Sequence, residues 1–145
     1  MQPYPHHYTV TAMAQGDSDV SLSSPGIAPL LSAGPAEFGG PGDLWSPESL
    51  LSASVADCFV LTFRAIARTS RLVWDELECK VDGVLEEVDG KALFSKFRIK
   101  AKLSVGPGTS LLKAEKLLHM AERHCLITNS LVALTELEIE LVTVQ

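Results

Sequence analysis

Basic residues are missing from the N-terminal part of the chain. Residues 1–63 contain no lysine or arginine but six acidic side chains, whereas residues 64–145 hold 12 basic and 12 acidic ones. The net charge of −6 therefore comes from the N-terminal part. Because binding to DNA or RNA depends on basic side chains that neutralise phosphates, we expect no nucleic-acid partner. Apart from His6, His7 and the N-terminal amine, any cation that assists a reaction must come from after residue 63.

Cysteine is also scarce. The chain has three cysteines, Cys58, Cys79 and Cys125, with no CxxC motif and no pair of histidines at the spacing of a zinc site. This pattern predicts no disulfide scaffold, no metal and no cofactor. The cysteines are then either thiols packed in the core or a pair of redox-active residues. Cys79 alternates in phase with Leu77 and Val81, which predicts that it lies in the core.

Signals for secretion or membrane insertion are absent from the sequence. The N-terminus has neither a basic segment nor an apolar segment of the kind that forms a signal peptide. The longest apolar stretch, residues 55–67, is interrupted by Asp57 and Arg64. We therefore expect a cytoplasmic protein that does not span a membrane.

Alternating strand patterns and two helical patterns predict an α+β fold in a single domain over residues 1–145. Its predicted parts are N-terminal strands in 1–31, a Gly/Pro-rich loop in 32–46, a central helix in 47–69, a β-hairpin in 73–105, and a second helix followed by a last strand in 110–145. The hairpin turns at Asp89-Gly90, a strong two-residue turn signal. Phe38 and Trp45 flank the loop; they could line an apolar pocket, but packing against the central helix is the favoured interpretation.

The central helix has strong start signals and an apolar surface. Ser46 is a suitable N-cap, Pro47 suits the first helical position, and Glu48 is an acid in the first turn, where the helix dipole favours it. The helix is apolar or small almost all round, which is typical of a helix covered on most sides. A chain of 145 residues has difficulty covering it alone, so we predict a homodimer.

Two segments carry a family resemblance. Residues 46–51 read SPESLL, and a cysteine stands ten residues after the glutamate, within residues 56–59 (ADCF). Residues 121–125 (AERHC) are followed by 128–131 (TNSL). In this order the two segments resemble the OsmC/Ohr family, the osmotically inducible and organic hydroperoxide resistance proteins, over nearly the whole chain.

The resemblance implies a fold and an activity. Family members are intertwined homodimers in which antiparallel sheets wrap around central helices. It implies that Cys58 reduces an organic hydroperoxide and becomes a sulfenic acid, that Cys125 condenses with it to a disulfide, and that an external dithiol restores both thiols. The chain would then be an enzyme of oxidative-stress defence, a cysteine-based peroxidase.

Glu48 is the third candidate site residue. Ten helical residues separate it from Cys58 by about 15 Å, so it cannot touch the cysteine of its own straight helix. The resemblance suggests that it acts across a dimer interface. The alternative is that Glu48 is only a first-turn acid favoured by the helix dipole.

The sequence departs from the family at two points. Related peroxidases have an arginine in the N-terminal strands that contacts the reactive cysteine, whereas residues 1–63 have none. Leu126 also stands where the family tends to have proline. Several residues could supply the cation in place of this arginine: Arg64, Arg68, Arg123, His124 or an N-terminal histidine.

Two alternative functions stay open, a non-catalytic binding protein for an apolar ligand and a redox-sensing dimer.

Overall fold

A computed structural model describes all residues from Met1 to Gln145. In chain order, its elements are β1 (Thr11–Met13), β2 (Val20–Ser24), β3 (Ile27–Ser32), a 3₁₀ turn (Ala36–Phe38), α1 (Pro47–Thr69), β4 (Glu76–Val88), β5 (Lys91–Val105), α2 (Leu111–His124), α3 (Leu126–Asn129) and β6 (Leu134–Thr143). This arrangement confirms the predicted α+β class. The chain divides into two compact units, an N-terminal unit of residues 1–50 and a C-terminal unit of residues 51–145.

The N-terminal unit is a three-stranded antiparallel sheet followed by the glycine-rich loop. The strands lie in the order β1-β2-β3, and β2 turns into β3 at Gly26, whose φ of 76° suits glycine. In the loop, a Cβ on Gly40 would collide with the carbonyl oxygen of Gly34. Glycine at position 40 therefore allows the loop to fold back on itself.

Helix α1 begins at the predicted residue because its first turn is capped by two serines. The Ser46 hydroxyl accepts a hydrogen bond from the Ser49 N–H at 3.1 Å, and the Ser49 hydroxyl accepts one from the Ser46 N–H at 2.8 Å. This reciprocal pair satisfies two backbone donors that the helix itself leaves free. The helix ends at Thr69, also as predicted.

The C-terminal unit contains the apolar core. In α1, the buried residues Val55, Phe59, Phe63 and Ala67 follow one another at four-residue intervals and share one face. They belong to one cluster with the buried alternate residues of β5 and the buried stripe of α2. Helix α1 is also long and apolar enough to cross a membrane by composition, and one of its faces packs in this core.

The sheet of the C-terminal unit has the strand order β4-β5-β6. The predicted hairpin is present, but its first strand begins at Glu76 and not at residue 73. Asp89 (φ 51°) and Gly90 (φ 76°) lie in the left-handed region that a two-residue hairpin turn requires. Strand β6 pairs in parallel with β5, an orientation that the sequence did not reveal. Helix α2 supplies the crossover that such a parallel pair needs.

The solvent face of this sheet is lined with charge. Along β5, Arg98 and Lys100 stand directly opposite Glu136 and Glu138 of β6. The Arg98 Nε lies 3.4 Å from Glu136 Oε2, and the Lys100 Nζ lies 3.9 Å from Glu138 Oε1. These exposed pairs contribute little stability individually, but they engage basic side chains that could otherwise serve a reaction.

Candidate active site

Cys58 lies in the middle of α1, one residue before the buried Phe59. It is a free thiol and half-buried. Its Sγ lies 3.8 Å from the Thr62 Oγ1, one helical turn further on, which is within hydrogen-bonding range for sulfur. A half-buried thiol of this kind combines an apolar setting with access for a small reactant.

Cys125 lies at the junction between α2 and α3 and is only 1% exposed. Its extended backbone (φ −68°, ψ 106°) ends α2 and caps the start of α3. The Thr128 hydroxyl donates a hydrogen bond to the Cys125 carbonyl oxygen at 3.1 Å and holds this turn in place. Cys125 is therefore fixed in the core, in contrast to the more accessible Cys58.

The fold brings these two thiols together, although they are 67 positions apart in the sequence. Burial raises the pKa of the Cys125 thiol, Thr128 opposes this rise, and the hydrogen bond and charge of Cys58 raise the pKa further. Cys125 thus stays protonated beside a more accessible thiol. In this arrangement the more accessible thiol, that of Cys58, can react with a molecule from solution. The enclosed thiol, that of Cys125, can react only with Cys58.

Cys79 lies on β4 opposite Ala101 and packs against the core, as the sequence predicts. Burial raises the pKa of its thiol to about 12, and the charge of Cys125 adds to this rise. The influence of Cys125 was not predicted, because nothing in the local pattern of β4 refers to the end of α2. At neutral pH the high pKa makes Cys79 a poor nucleophile.

Glu48 lies in the first turn of α1, within the N-terminal unit. Its Oε2 atom is buried and accepts no hydrogen bond. The side chain borders a pocket of about 500 Å³, named here the Glu48 pocket. Its largest lining side chains are those of Val20, Leu22, Pro35, Phe38 and Leu50. The sequence identified Glu48 as a candidate and favoured packing against the central helix for Phe38. The favoured interpretation of Phe38 is wrong, because its side chain is 66% exposed and lies in the pocket wall.

The cations that could serve Cys58 are on the surface. Arg64, Arg68, Arg123 and His124 are all exposed, and none makes a hydrogen bond or ion pair with a cysteine. The only hydrogen-bonding neighbours found for Cys58 are Thr62 and Cys125. No group of three or more His, Cys, Asp or Glu side chains is placed to hold a metal ion.

Comparison with known proteins identifies the family. Residues 40–140 match the family model described as OsmC-like protein. A Bacillus subtilis (strain 168) protein, the uncharacterized YmaD, is 25% identical over 139 residues, which cover 93% of each chain.

Solved structures share the fold. An OsmC-like protein of unknown function from Vibrio cholerae superposes with a TM-score of 0.84 at 21% identity, covering 93% of this chain and 99% of its own. An organic hydroperoxide resistance protein from Elizabethkingia anophelis superposes with a TM-score of 0.74 at 19% identity, covering 97% of this chain and 100% of its own. At these identities the likeness concerns the fold.

Proposed function

The chain belongs to the OsmC-like protein family, and on that premise we propose that it is a thiol-dependent peroxidase that reduces organic hydroperoxides in oxidative-stress defence. The observation that carries the proposal is the half-buried thiol of Cys58 beside the enclosed thiol of Cys125. The fold shared with an organic hydroperoxide resistance protein supports the choice of substrate.

The proposed reaction has two steps at the protein. The Cys58 thiolate attacks the terminal oxygen of the hydroperoxide, the O–O bond breaks, and the alkoxide takes up a proton and leaves as an alcohol. Cys58 is then a sulfenic acid. The Cys125 thiol attacks this sulfur, a disulfide forms, and the oxygen leaves as water. An external dithiol reduces the disulfide by two thiol–disulfide exchanges and is itself oxidised.

We further propose that the working form is a homodimer in which Glu48 acts in the site of the partner subunit. Only 22% of the most apolar 18-residue window of α1 is buried in a single chain, and Leu61 on this helix is 49% exposed. A second copy would cover this apolar surface. Cytoplasmic localisation is part of the proposal, since a reducing compartment keeps such thiols ready to react.

One observation favours a second candidate function. A thiolate is stabilised by a nearby cation, and no basic side chain forms a hydrogen bond with Cys58. A dimer that binds an apolar ligand or forms its disulfide only under stress would not need such a cation. The rate of thiol oxidation separates the two functions.

The test is the loss of free thiols after the reduced protein is mixed with cumene hydroperoxide. We expect two of the three thiols to disappear within seconds in the wild-type protein and in Cys79→Ser, the matched control. Cys58→Ser should lose none on this timescale. Oxidation of the wild type over hours would instead support the non-catalytic candidate, and equal oxidation of Cys58→Ser would remove the assignment of the reactive residue.

A further inference from the structure

Thr62 differs from the other threonine of α1 in the partner of its hydroxyl group. The Thr69 hydroxyl donates to the carbonyl oxygen of Ala65, four residues back, at 3.1 Å. Threonine within a helix commonly forms this bond to its own backbone. The Thr62 hydroxyl makes no bond to the equivalent carbonyl, and its hydrogen-bonding neighbour is instead the Sγ of Cys58 at 3.8 Å.

Ionisation of Cys58 gives this contact a fixed direction. While the cysteine is a neutral thiol, either the sulfur or the Thr62 hydroxyl can be the donor. A thiolate has no proton, so the hydroxyl must donate, and the bond is then charge-assisted. A hydrogen bond to the charged form of a group favours that form. The contact is therefore stronger in the reactive state of the cysteine than in its resting state.

No basic side chain donates to the Cys58 sulfur instead of Thr62. The two basic residues of α1, Arg64 and Arg68, are exposed and form no hydrogen bond with it, and the same is true of those at the end of α2. Cys125 brings only the weak donor of a thiol, whose pKa is raised by burial. Cys58 and Thr62 are both half-buried, a setting in which a hydrogen bond is stronger than in water.

We propose that Thr62 is a positioning residue of the proposed peroxidase, whose hydroxyl donates a hydrogen bond to the Cys58 thiolate in place of a cation. The inference deepens the proposed function and rests on it for the identity of the reactive cysteine. Because the donor lies on the same helix as the cysteine, one turn away, it acts within one subunit and needs no residue of a partner.

The experiment measures the thiolate of Cys58 without any peroxide. Cys79→Ser and Cys125→Ala are combined in a parent protein, so that Cys58 is the only thiol and the titratable group that faces it is removed. Alkylation by iodoacetamide and the ultraviolet absorbance of the thiolate are followed as functions of pH. Thr62→Val, which keeps the shape of the side chain and removes its hydroxyl, should slow alkylation about threefold at about pH 7.5.

The pH profile separates loss of the hydrogen bond from damage to the structure. One hydrogen bond to an anion changes the thiolate fraction by about tenfold, but the released thiolate is the better nucleophile, so the alkylation rate changes less than the absorbance. As the pH rises, the thiol ionises with or without the hydroxyl, and the two rates should agree within about twofold at about pH 10.5. A misplaced cysteine would react slowly at every pH.

Matched variants assign the effect to the hydroxyl of Thr62. Thr62→Ser keeps the donor and should react within about twofold of the parent protein. Thr69→Val removes the other threonine hydroxyl of α1, which bonds only its own helix, and should leave the rate unchanged. If Thr62→Val fails to fold, Thr62→Ala takes its place beside Thr62→Ser, since alanine is the best helix former.

Two results would overturn the inference. One is an alkylation rate and a thiolate absorbance that stay equal to those of the parent at neutral pH when the Thr62 hydroxyl is removed. The other is a Thr62→Ser protein that is as slow as Thr62→Val, because this would assign the loss to packing. The predicted order of rates in a protein that fails to reduce peroxides would remove the proposed function and leave the bond from Thr62 to the thiolate standing.

Discussion

The two compact units differ in what they bury and in the charge that they carry. Every buried apolar side chain lies in the C-terminal unit, whereas the buried residues of the N-terminal unit are Ser32 and Ser46. Large apolar side chains such as Met13 and Ile27 are exposed in the N-terminal unit. The C-terminal unit thus has its own core, and the N-terminal unit has a sheet without one.

The chemistry is divided along the same line. All three cysteines and all lysines and arginines belong to the C-terminal unit, while Glu48 and its pocket belong to the N-terminal unit. The cysteines therefore lie on elements that pack in the core of the C-terminal unit, and Glu48 lies in the first turn of α1 within the N-terminal unit.

The largest expected effect concerns the uncovered surface of α1. Leu61→Asp places a charge on the exposed apolar side of this helix and should convert the predicted dimer into a monomer, because burying the carboxylate in an apolar interface is costly. Sedimentation velocity at micromolar concentration measures the change. Leu112→Asp, at a residue 80% exposed on α2, is the control and should remain dimeric. A wild-type protein that sediments as a stable folded monomer would contradict the dimer.

The core of the C-terminal unit gives the next largest effect. Phe59 is fully buried, so Phe59→Ala should lower the free energy of unfolding by about 3–5 kcal/mol. Leu126→Ala, at a residue 66% exposed, should change it by no more than about 0.5 kcal/mol. Urea denaturation at one protein concentration compares them. Similar values for the two variants would mean that the stabilising core lies elsewhere.

A smaller effect depends on pH. Folding raises the pKa of Cys79 to about 12 from 9.0, so above pH 9 the unfolded chain loses this proton while the folded chain keeps it. The folded state then binds more protons, and stability falls as pH rises. The contribution is complete below pH 9 and is lost progressively towards pH 12. Denaturation between about pH 8 and 10.5 should show a steeper decline for the wild type than for Cys79→Ala; parallel declines would contradict the burial of this thiol.

Local signals made much of the fold predictable. The start of α1 is encoded by Ser46, Pro47 and the apolar run that follows, and this helix has the predicted bounds. The hairpin turns at the predicted Asp89-Gly90, but its first strand begins at Glu76 and not at residue 73. The parallel pairing of β6 with β5 escaped prediction, because it depends on how α2 crosses the sheet. The ion pairs of the basic residues on β5 with Glu136 and Glu138 also escaped prediction, because they depend on the pairing of β5 with β6.

The candidate site was less accessible to sequence reasoning. Cys58 and Cys125 were paired through the resemblance, since no local pattern links a mid-helix residue with the end of another helix. The pocket beside Glu48 and its unpaired oxygen depend on where side chains from three strands, a loop and the start of α1 meet. The absence of arginine from the first 63 residues was visible in the sequence, and the structure adds that no other cationic side chain forms a hydrogen bond with Cys58.

The most direct test of the account is the mass of the protein after one equivalent of cumene hydroperoxide. Wild-type protein should lose two hydrogens, with peptide mapping joining Cys58 to Cys125 and leaving Cys79 reduced. Cys125→Ser should instead gain one oxygen on Cys58, trapped as a dimedone adduct. A disulfide that includes Cys79, or a Cys125→Ser protein that gains no oxygen on Cys58, would contradict the central claim that the accessible thiol attacks and the enclosed thiol resolves.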